Sequence, residues 1–259
     1  MHLIREYINY IRKAQGRHQI HSPFVYDFVD QCIQLDFPKE IREQINELKK
    51  SLRNNHSQIK IQDFGAGSKK MGENRTISSI YKNASCKGTY AKLLFQLSKH
   101  YQPNNILELG TNLGIGTYHL HLGNPNALLT TIDGCYETQS VSKSYLTNTN
   151  IRYITSTFDS AIDQLPDQLF DLIYIDGDHR GNSLENYLLK LEKFSHNETI
   201  FIVDDIRWSN DMFTSWKKIK SLKDYHLTLD LFKMGILIKK KGKEKEHFII
   251  RLKNVLTSL

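Results

Sequence analysis

Apolar residues change their period near residue 100. Upstream they recur every three or four positions, the spacing of one helix face. Ile4, Tyr7, Ile8 and Ile11 oppose Arg5 and Arg12; Phe24, Phe28 and Cys32 share a side; Ile41, Ile45, Leu48 and Leu52 form a third stripe. Ser22-Pro23 supplies a helix start, with a hydroxyl at the N-cap and proline at the first helical position. Two further helices are predicted around Thr76–Ala84 and Thr89–Tyr101. Five helices and one short strand make no obvious core of their own, so residues 1–100 are expected to form a helical cap on a domain spanning 101–259.

From Asn105 the rhythm becomes strand, helix, strand. Ile106–Leu109, Leu128–Ile132, Ile151–Thr155, Phe170–Ile175 and Thr199–Val203 are short apolar runs separated by helix-compatible segments. Runs of this length alternating with helices predict a parallel sheet covered on both faces, an α/β fold. The stretch "YHLTLDLFKMGILIKK" contains two strands with only a tight connection, hence an antiparallel pair. A last strand, "HFIIRL", follows the lysine-rich "KKKGKEKEH", which reads as a solvated turn.

Composition narrows the class. With 259 residues, 39% hydrophobic and 24% charged, the chain suits a globular protein with an ordinary core. No apolar run approaches the ~18 residues of a membrane span, and the N-terminus lacks the apolar stretch of a signal peptide. Three widely spaced cysteines, Cys32, Cys86 and Cys135, fit reduced thiols and a cytoplasmic setting. The net charge of +7 is uneven: residues 1–100 carry 17 basic and 9 acidic side chains, 101–210 carry 6 and 14, and 211–259 carry 12 and 5. A uniformly basic chain would suggest nucleic acid; an acidic middle suggests a site that attracts cations.

Two glycine loops compete as the ligand cradle. In "IQDFGAGSKKMGEN", Gly67 and Gly72 have the gap of a phosphate loop, but Glu73 and Asn74 stand where lysine and Ser/Thr are needed. That segment reads as a tight turn or a cap loop leaning over a site. The second, "ILELGTNLGIGT", joins a strand to a helix, where ligands approach the carboxyl ends of a sheet. Its glycines, Gly110, Gly114 and Gly116, are not in dinucleotide spacing, and Glu108 beside them favours an ammonium over a pyrophosphate. Asp133 ends the next strand, 23 residues after Gly110, where a carboxylate accepts both ribose hydroxyls. A ligand with ribose and ammonium but no pyrophosphate is S-adenosylmethionine.

"ILELGTNLGIGT", "TTIDG", "FDLIYIDGDHR" and "IFIVDDIRW" resemble, in order, the motifs of class I S-adenosylmethionine-dependent methyltransferases. More narrowly they resemble the metal-dependent O-methyltransferases of the catechol and caffeoyl-CoA type, over roughly residues 100–240. The cap resembles that of uncharacterised methyltransferase-like proteins from Bacteroidetes. The resemblance implies a Rossmann-like seven-stranded sheet of order 3-2-1-4-5-7-6 with strand 7 antiparallel. It implies a donor site of Glu108, Gly110, Thr111, Gly114, Gly116, Thr117, Asp133, Gly134, Thr157, Phe158 and Asp176. Phe158 reads equally as an adenine contact or a core residue.

Asp176, Asp178, Asp204 and Asp205 are expected near the carboxyl ends of the fourth and fifth strands. Like charges this close call for an offset, and a hard divalent ion such as Mg²⁺ supplies one. The resemblance assigns Asp176, Asp204 and Asp205 to that metal, although the last position is usually asparagine in the family. Alone, Asp204 or Asp205 would equally cap the next helix. His179 stands where the family often has a lysine base. It can accept a proton near neutral pH, ligate the metal, or lie on the surface, and it is assigned with Asp176 to catalysis. Trp208 either walls the substrate pocket or packs. Arg17, His18 and His21 offer contacts to an anionic substrate or lid.

The resulting expectation is methylation of a small-molecule hydroxyl, assisted by a divalent cation. The alternatives are a nucleic-acid methyltransferase and a non-catalytic donor-binding protein. Against the first, no Asn/Asp-Pro-Pro-aromatic segment follows the fourth strand, and no Pro-Cys nucleophile is present. The apolar face of the first helix offers a surface for its own core or for a second copy.

Overall fold

In the computed structural model, which describes residues 2–62, 74–84, 86–147, 150–239 and 244–252, the sheet begins where the apolar period changes. Upstream lie α1 (His2–Lys13), α2 (Pro23–Phe28) with a π-helical continuation (Val29–Gln34), and α3 (Lys39–Asn54). A small antiparallel ribbon of β1 (Gln58–Lys60) and β2 (Asn74–Thr76) follows, then α4 (Ile77–Ala84) and α5 (Gly88–Tyr101). The glycine segment at 63–73 lies outside the described residues.

The main sheet is built from β3 (Asn105–Leu109), β4 (Leu128–Asp133), β5 (Ile151–Thr155), β6 (Phe170–Ile175) and β7 (Ser195–Val203), all parallel. Between them run α6 (Ile115–Gly123), α7 (Tyr136–Tyr145), α8 (Phe158–Asp163) and α9 (Gly181–Leu191). After α10 (Asn210–Ile219) comes the hairpin of β8 (Leu227–Leu231) and β9 (Met234–Ile238). Across the sheet the order is β5-β4-β3-β6-β7-β9-β8-β10. Counted from β3, this is the expected 3-2-1-4-5-7-6 with β9 antiparallel to both neighbours. The sheet has eight strands rather than seven, because β10 (Glu246–Ile249) adds in parallel beyond β8. It covers backbone groups that would otherwise form a bare edge. Gln15 then continues the pairing: its N–H donates to Ile249 O (2.7 Å), and its carbonyl accepts from Arg251 N–H (2.9 Å).

Strand alternation decides the layering. Ile106, Leu172, Tyr174, Ile200 and Ile202 face one side, where they join Tyr10, Val25, Phe28, Tyr90 and Leu94. Leu107, Ile173, Ile175, Phe201 and Val203 face the other, against Ile162, Leu188 and Trp216. The N-terminal helices therefore share a core with the sheet. On α1 the buried side is rotated from the expected stripe. Tyr10 is buried and donates its hydroxyl to Ile250 O (2.5 Å), whereas Ile4 and Ile8 are 68% and 47% exposed. That hydrogen bond and the Tyr10–Phe232 ring contact (5.2 Å) turn the tyrosine inward at the expense of the two isoleucines. No helix among the described residues is long and apolar enough to cross a membrane.

One buried ion pair pins the hairpin to the end of β7. Arg207 donates to both carboxylate oxygens of Asp230 at 2.7 Å and to Phe232 O at 2.7 Å. The rings of Phe213 and Phe232 flank the guanidinium at 4.5 and 5.0 Å. Removing one partner leaves the other charge buried and unpaired. Asp230→Ala is therefore expected to destabilise the fold by about 3–5 kcal/mol, measured by urea unfolding; a loss below about 1 kcal/mol, the scale of an exposed pair, would contradict the pair's anchoring role.

Candidate active site

The loop after β3 is shaped by contacts that exclude side chains. Gly110 has φ +111°, and a Cβ there would sit 2.0 Å from the backbone oxygen of Asp176. Asp176 N–H in turn donates to Leu109 O at 2.8 Å, so the ends of β3 and β6 touch through backbone. Gly114 has φ +80° and begins α6 with no room beside Ser142 Oγ. Gly116 lies over Glu108, whose Oε1 is 2.8 Å from where its Cβ would be.

Beneath the loop, Glu108 is fully buried. Its Oε2 accepts from Thr117 Oγ1 (2.5 Å) and Thr131 Oγ1 (2.6 Å). Thr111 Oγ1 lies 2.6 Å from Thr131 Oγ1 and accepts from Gln139 Nε2 at 3.2 Å. Glu108 Oε1 has no hydrogen-bond partner among the described residues. Burial raises the carboxyl's pKa to about 8 against the opposing hydroxyl bonds. An orphaned buried oxygen of this kind calls for a partner, and one bearing positive charge suits it.

Asp133 is half-buried at the end of β4. It accepts from the backbone N–H of Asn112 (2.7 Å) and of Cys135 (2.8 Å), tying the loop after β3 to the loop after β4. The backbone at Thr111 also stabilises its charge, and a carboxylate's roughly four lone-pair sites still leave acceptor capacity. Gly134 follows it, partly exposed. In register, Asp133 pairs with Thr155, which brings the end of β5 alongside. There Thr157 is exposed at the N-cap of α8. Phe158 is half-buried, lying across Gly177 and edge-on to Tyr187 at 5.6 Å.

The acidic cluster differs from expectation in its third member. Ligand-capable atoms of Asp176, His179 and Asp205 lie within 4.8 Å of one another, close enough for one ion to bridge. Asp204 is not in that set. It is 2% exposed and its carboxylate is already engaged: Lys233 Nζ stands 3.3 Å from Oδ2, and Asp205 N–H donates to Oδ1 at 2.8 Å. Tyr174 Oη lies 2.9 Å from Asp176 Oδ2 and 3.2 Å from Asp204 Oδ2, sharing its proton between them. Asp178 turns away to Arg180 and to Tyr187 Oη (2.7 Å). Burial, then the charge of Asp204, raises the pKa of both Asp176 and Asp205. A divalent cation would relieve that repulsion, so the donor set fits one.

His179 Nε2 is 3.6 Å from Asp205 Oδ2, and its ring meets Trp208 at 5.4 Å. Trp208 is 60% exposed, a wall beside the cluster rather than a packed core residue. Arg17 is committed elsewhere, paired with Asp30 (Nη2 to Oδ2 2.7 Å) and stacked over Tyr26, while His18 and His21 are exposed.

Lys233 is the residue that motif reading missed. A lysine in a hairpin turn ordinarily reads as solvated. The register carries the signal: Val203 pairs with Gly235 in an antiparallel ladder, so two residues further on Asp205 faces Lys233. Their charges stand 3.6 Å apart. Burial opposes the Lys233 charge, but Asp204 and Asp205 outweigh it and hold the ammonium protonated.

Residues 107–206 match the family model described as a methyltransferase domain. No functionally curated protein matches the chain. Among solved structures, the O-methyltransferase from Bacillus cereus in complex with SAH (S-adenosylhomocysteine) is similar at 18% identity and TM-score 0.55, covering 83% of this chain and 97% of that one. The O-methyltransferase TomG from Streptomyces achromogenes, involved in tomaymycin synthesis and in complex with SAM (S-adenosylmethionine), is similar at 14% identity and TM-score 0.54, covering 82% and 94%. SAH-bound PaMTH1 from Podospora anserina is similar at 14% and 0.53, covering 80% and 98%. At these identities the likeness is one of fold.

The buried Glu108 generates a pH test. Its ordinary pKa of 4.5 rises to about 8 in the fold. The folded chain thus holds a proton that the unfolded chain has lost between those values, and this contribution to stability falls as pH rises through that window. Glu108→Gln removes it. Unfolding midpoints of the wild type should decline more steeply than those of Glu108→Gln from about pH 5 to 8; parallel curves would contradict the burial argument.

Proposed function

We propose that this chain, which has the class I S-adenosylmethionine-dependent methyltransferase fold and carries a methyltransferase domain, transfers the donor's methyl group to a small-molecule hydroxyl with the help of a bound divalent cation. The observation that supports the reading is the close backbone approach of Gly110 to Asp176, where the glycine loop meets the acidic cluster. Methyl transfer from a sulfonium to an oxygen needs those two features side by side, since holding the reactants in line is much of the catalysis.

Each side chain then has a task. Gly110, Gly114 and Gly116 let the loop pack directly against Asp176, Ser142 and Glu108, and in this reading the donor's methionine end occupies the space over that loop. Glu108 presents its unpaired Oε1 beneath that space, and Thr111 and Thr117 hold the carboxylate network in place. Asp133 keeps lone pairs for ribose hydroxyls while it fixes the loop, with Gly134 beside it; Thr157 and Phe158 border the adenine end. Asp176, Asp205 and His179 would hold the cation. When bound, such an ion supplies Lewis acidity that lowers the pKa of an acceptor hydroxyl. Asp176 is steadied by Tyr174, and Trp208 beside His179 excludes water from one side of the acceptor. In this reading the first hundred residues supply the remaining pocket walls, and the ion is Mg²⁺ or a similar divalent metal. The acidic surroundings would repel a phosphate backbone, which makes a nucleic-acid acceptor the poorer fit.

Two substitutions separate the halves of the site. Asp133→Ala removes a charged acceptor and should weaken donor binding by about 1.5–3 kcal/mol, roughly tenfold to a hundredfold in Kd, by calorimetry. Asp205→Ala should leave donor affinity within about threefold of wild type, a margin well under the scale of one lost charged hydrogen bond, while abolishing transfer of labelled methyl to a panel of small hydroxyl compounds. Full transfer by Asp205→Ala in the presence of chelator would sink the cation-assisted mechanism; undiminished donor binding by Asp133→Ala would sink the donor assignment.

A further inference from the structure

We infer that Lys233 is a built-in counter-ion that withdraws Asp204 from the ligand set and fixes how tightly the site binds its divalent cation. The role in cation binding rests on the reading above; the geometry of the lysine does not.

Three buried or half-buried carboxylates, Asp176, Asp204 and Asp205, converge at the ends of β6 and β7. Lys233 Nζ is 3.3 Å from Asp204 Oδ2 and 3.6 Å from Asp205 Oδ1. One ammonium and one divalent ion together balance the charge of three carboxylates. Without the lysine, Asp204 would remain an uncompensated charge beside the ion. With it, the ligand set is two carboxylates and an imidazole, and one of those carboxylates is shared with a competing cation.

The turn that carries Lys233 is held against conformational preference. Phe232 has φ +74°, a left-handed backbone that bulky residues rarely adopt. It is kept there by its carbonyl on Arg207 (2.7 Å), by its N–H on Asp230 Oδ1 (3.0 Å), and by edge-on packing against Tyr7 (5.3 Å). On either side of Lys233 the backbone is also fixed: Ile206 N–H donates to its carbonyl (2.9 Å), and its own N–H reaches Leu231 O (3.1 Å) and Tyr90 Oη (3.3 Å). A strained turn held by these contacts presents one ammonium to the cluster. Strain of this kind persists where the surroundings over-determine it, and functional sites are where it collects.

The test measures binding of Mn²⁺ by the full-length protein without methyl donor, from the free-ion signal in electron paramagnetic resonance. Lys233→Met keeps the stem but removes the charge, and should bind Mn²⁺ roughly tenfold or more tightly than wild type. Asp204→Asn leaves Asp205 as the ammonium's nearest charged partner, drawing that ligand from the ion, and should bind Mn²⁺ roughly tenfold or more weakly. The double variant removes both charges and should return to within about threefold of wild type, as a coupled pair requires. Equal or weaker binding by Lys233→Met overturns the inference, as does Mn²⁺ bound by none of the proteins. Should Lys233→Met not fold, Asp204→Asn decides alone, and unchanged affinity overturns the counter-ion role. S-adenosylhomocysteine binding, followed by calorimetry on the same proteins, separates the two levels. Nucleoside bound without Mn²⁺ overturns the counter-ion role and leaves the donor reading standing. Mn²⁺ affinities in the expected order without nucleoside binding support the counter-ion role and remove the donor reading.

Discussion

The backbone of Gly110 passes so close to the carbonyl of Asp176 that only hydrogen fits between them. Everything proposed for this protein depends on that crossing. Parallel strands β3 and β6 are neighbours in the sheet, so the loops leaving their carboxyl ends must diverge within a few residues. At Gly110 the chain does so in a conformation with φ +111°, which L side chains rarely adopt. The consequence is a surface where one loop packs closely over Glu108 and the next strand end begins an acidic cluster. A larger residue at 110 would push the two apart and separate a donor from the groups that must act on its acceptor.

Electrostatics then divides the labour between the two sides. Under the loop, a lone carboxyl group is buried among hydroxyls with one oxygen unpaired, and an incoming positive group would favour its ionised form. Across the crossing, three carboxylates repel one another and are offset in part by Lys233. Neither region is stable by charge alone; both are enclosed by hydrophobic layers that the N-terminal helices and the sheet build together. The Arg207–Asp230 pair has a comparable function at the hairpin: it holds β8, β9 and the turn between them to the end of β7. The acidic residues are thus distributed among separate surroundings, with Asp178 and Asp230 in arginine pairs and Asp176 and Asp205, both half-buried, in the candidate cation cluster.

Strand positions were legible because buried parallel strands are written as unbroken apolar runs. Ile151–Thr155 and Phe170–Ile175 begin and end where the sequence places them. The eighth strand was harder to weigh, since β10 is short, follows five lysines, and gains its place only by capping an edge that the sequence does not display. On α1 the helical period was visible but its inward direction was not. Tyr7, Tyr10 and Ile11 lie on adjacent arcs to Ile4 and Ile8, and the choice between them is made by Ile250 and Phe232, more than two hundred residues away. The candidate site followed the same rule. Glycines and strand-end carboxylates announce themselves locally, so Gly110, Asp133 and Asp176 could be named as candidates, and the fold brings the loop of Gly110 against Asp176 and Asp133. The pairing of Asp204 with Lys233 becomes visible only once β9 is paired beside β7.

The central claim is that donor loop and acidic cluster form one site around the Gly110–Asp176 crossing. Its most direct measurement is a crystal structure of the protein soaked with S-adenosylhomocysteine and Mn²⁺. The account predicts the ribose hydroxyls on Asp133, the amino-acid end over Gly110 to Gly116, and the ion between Asp176, His179 and Asp205. Nucleoside bound at another face, or an ion distant from that nucleoside, would contradict it.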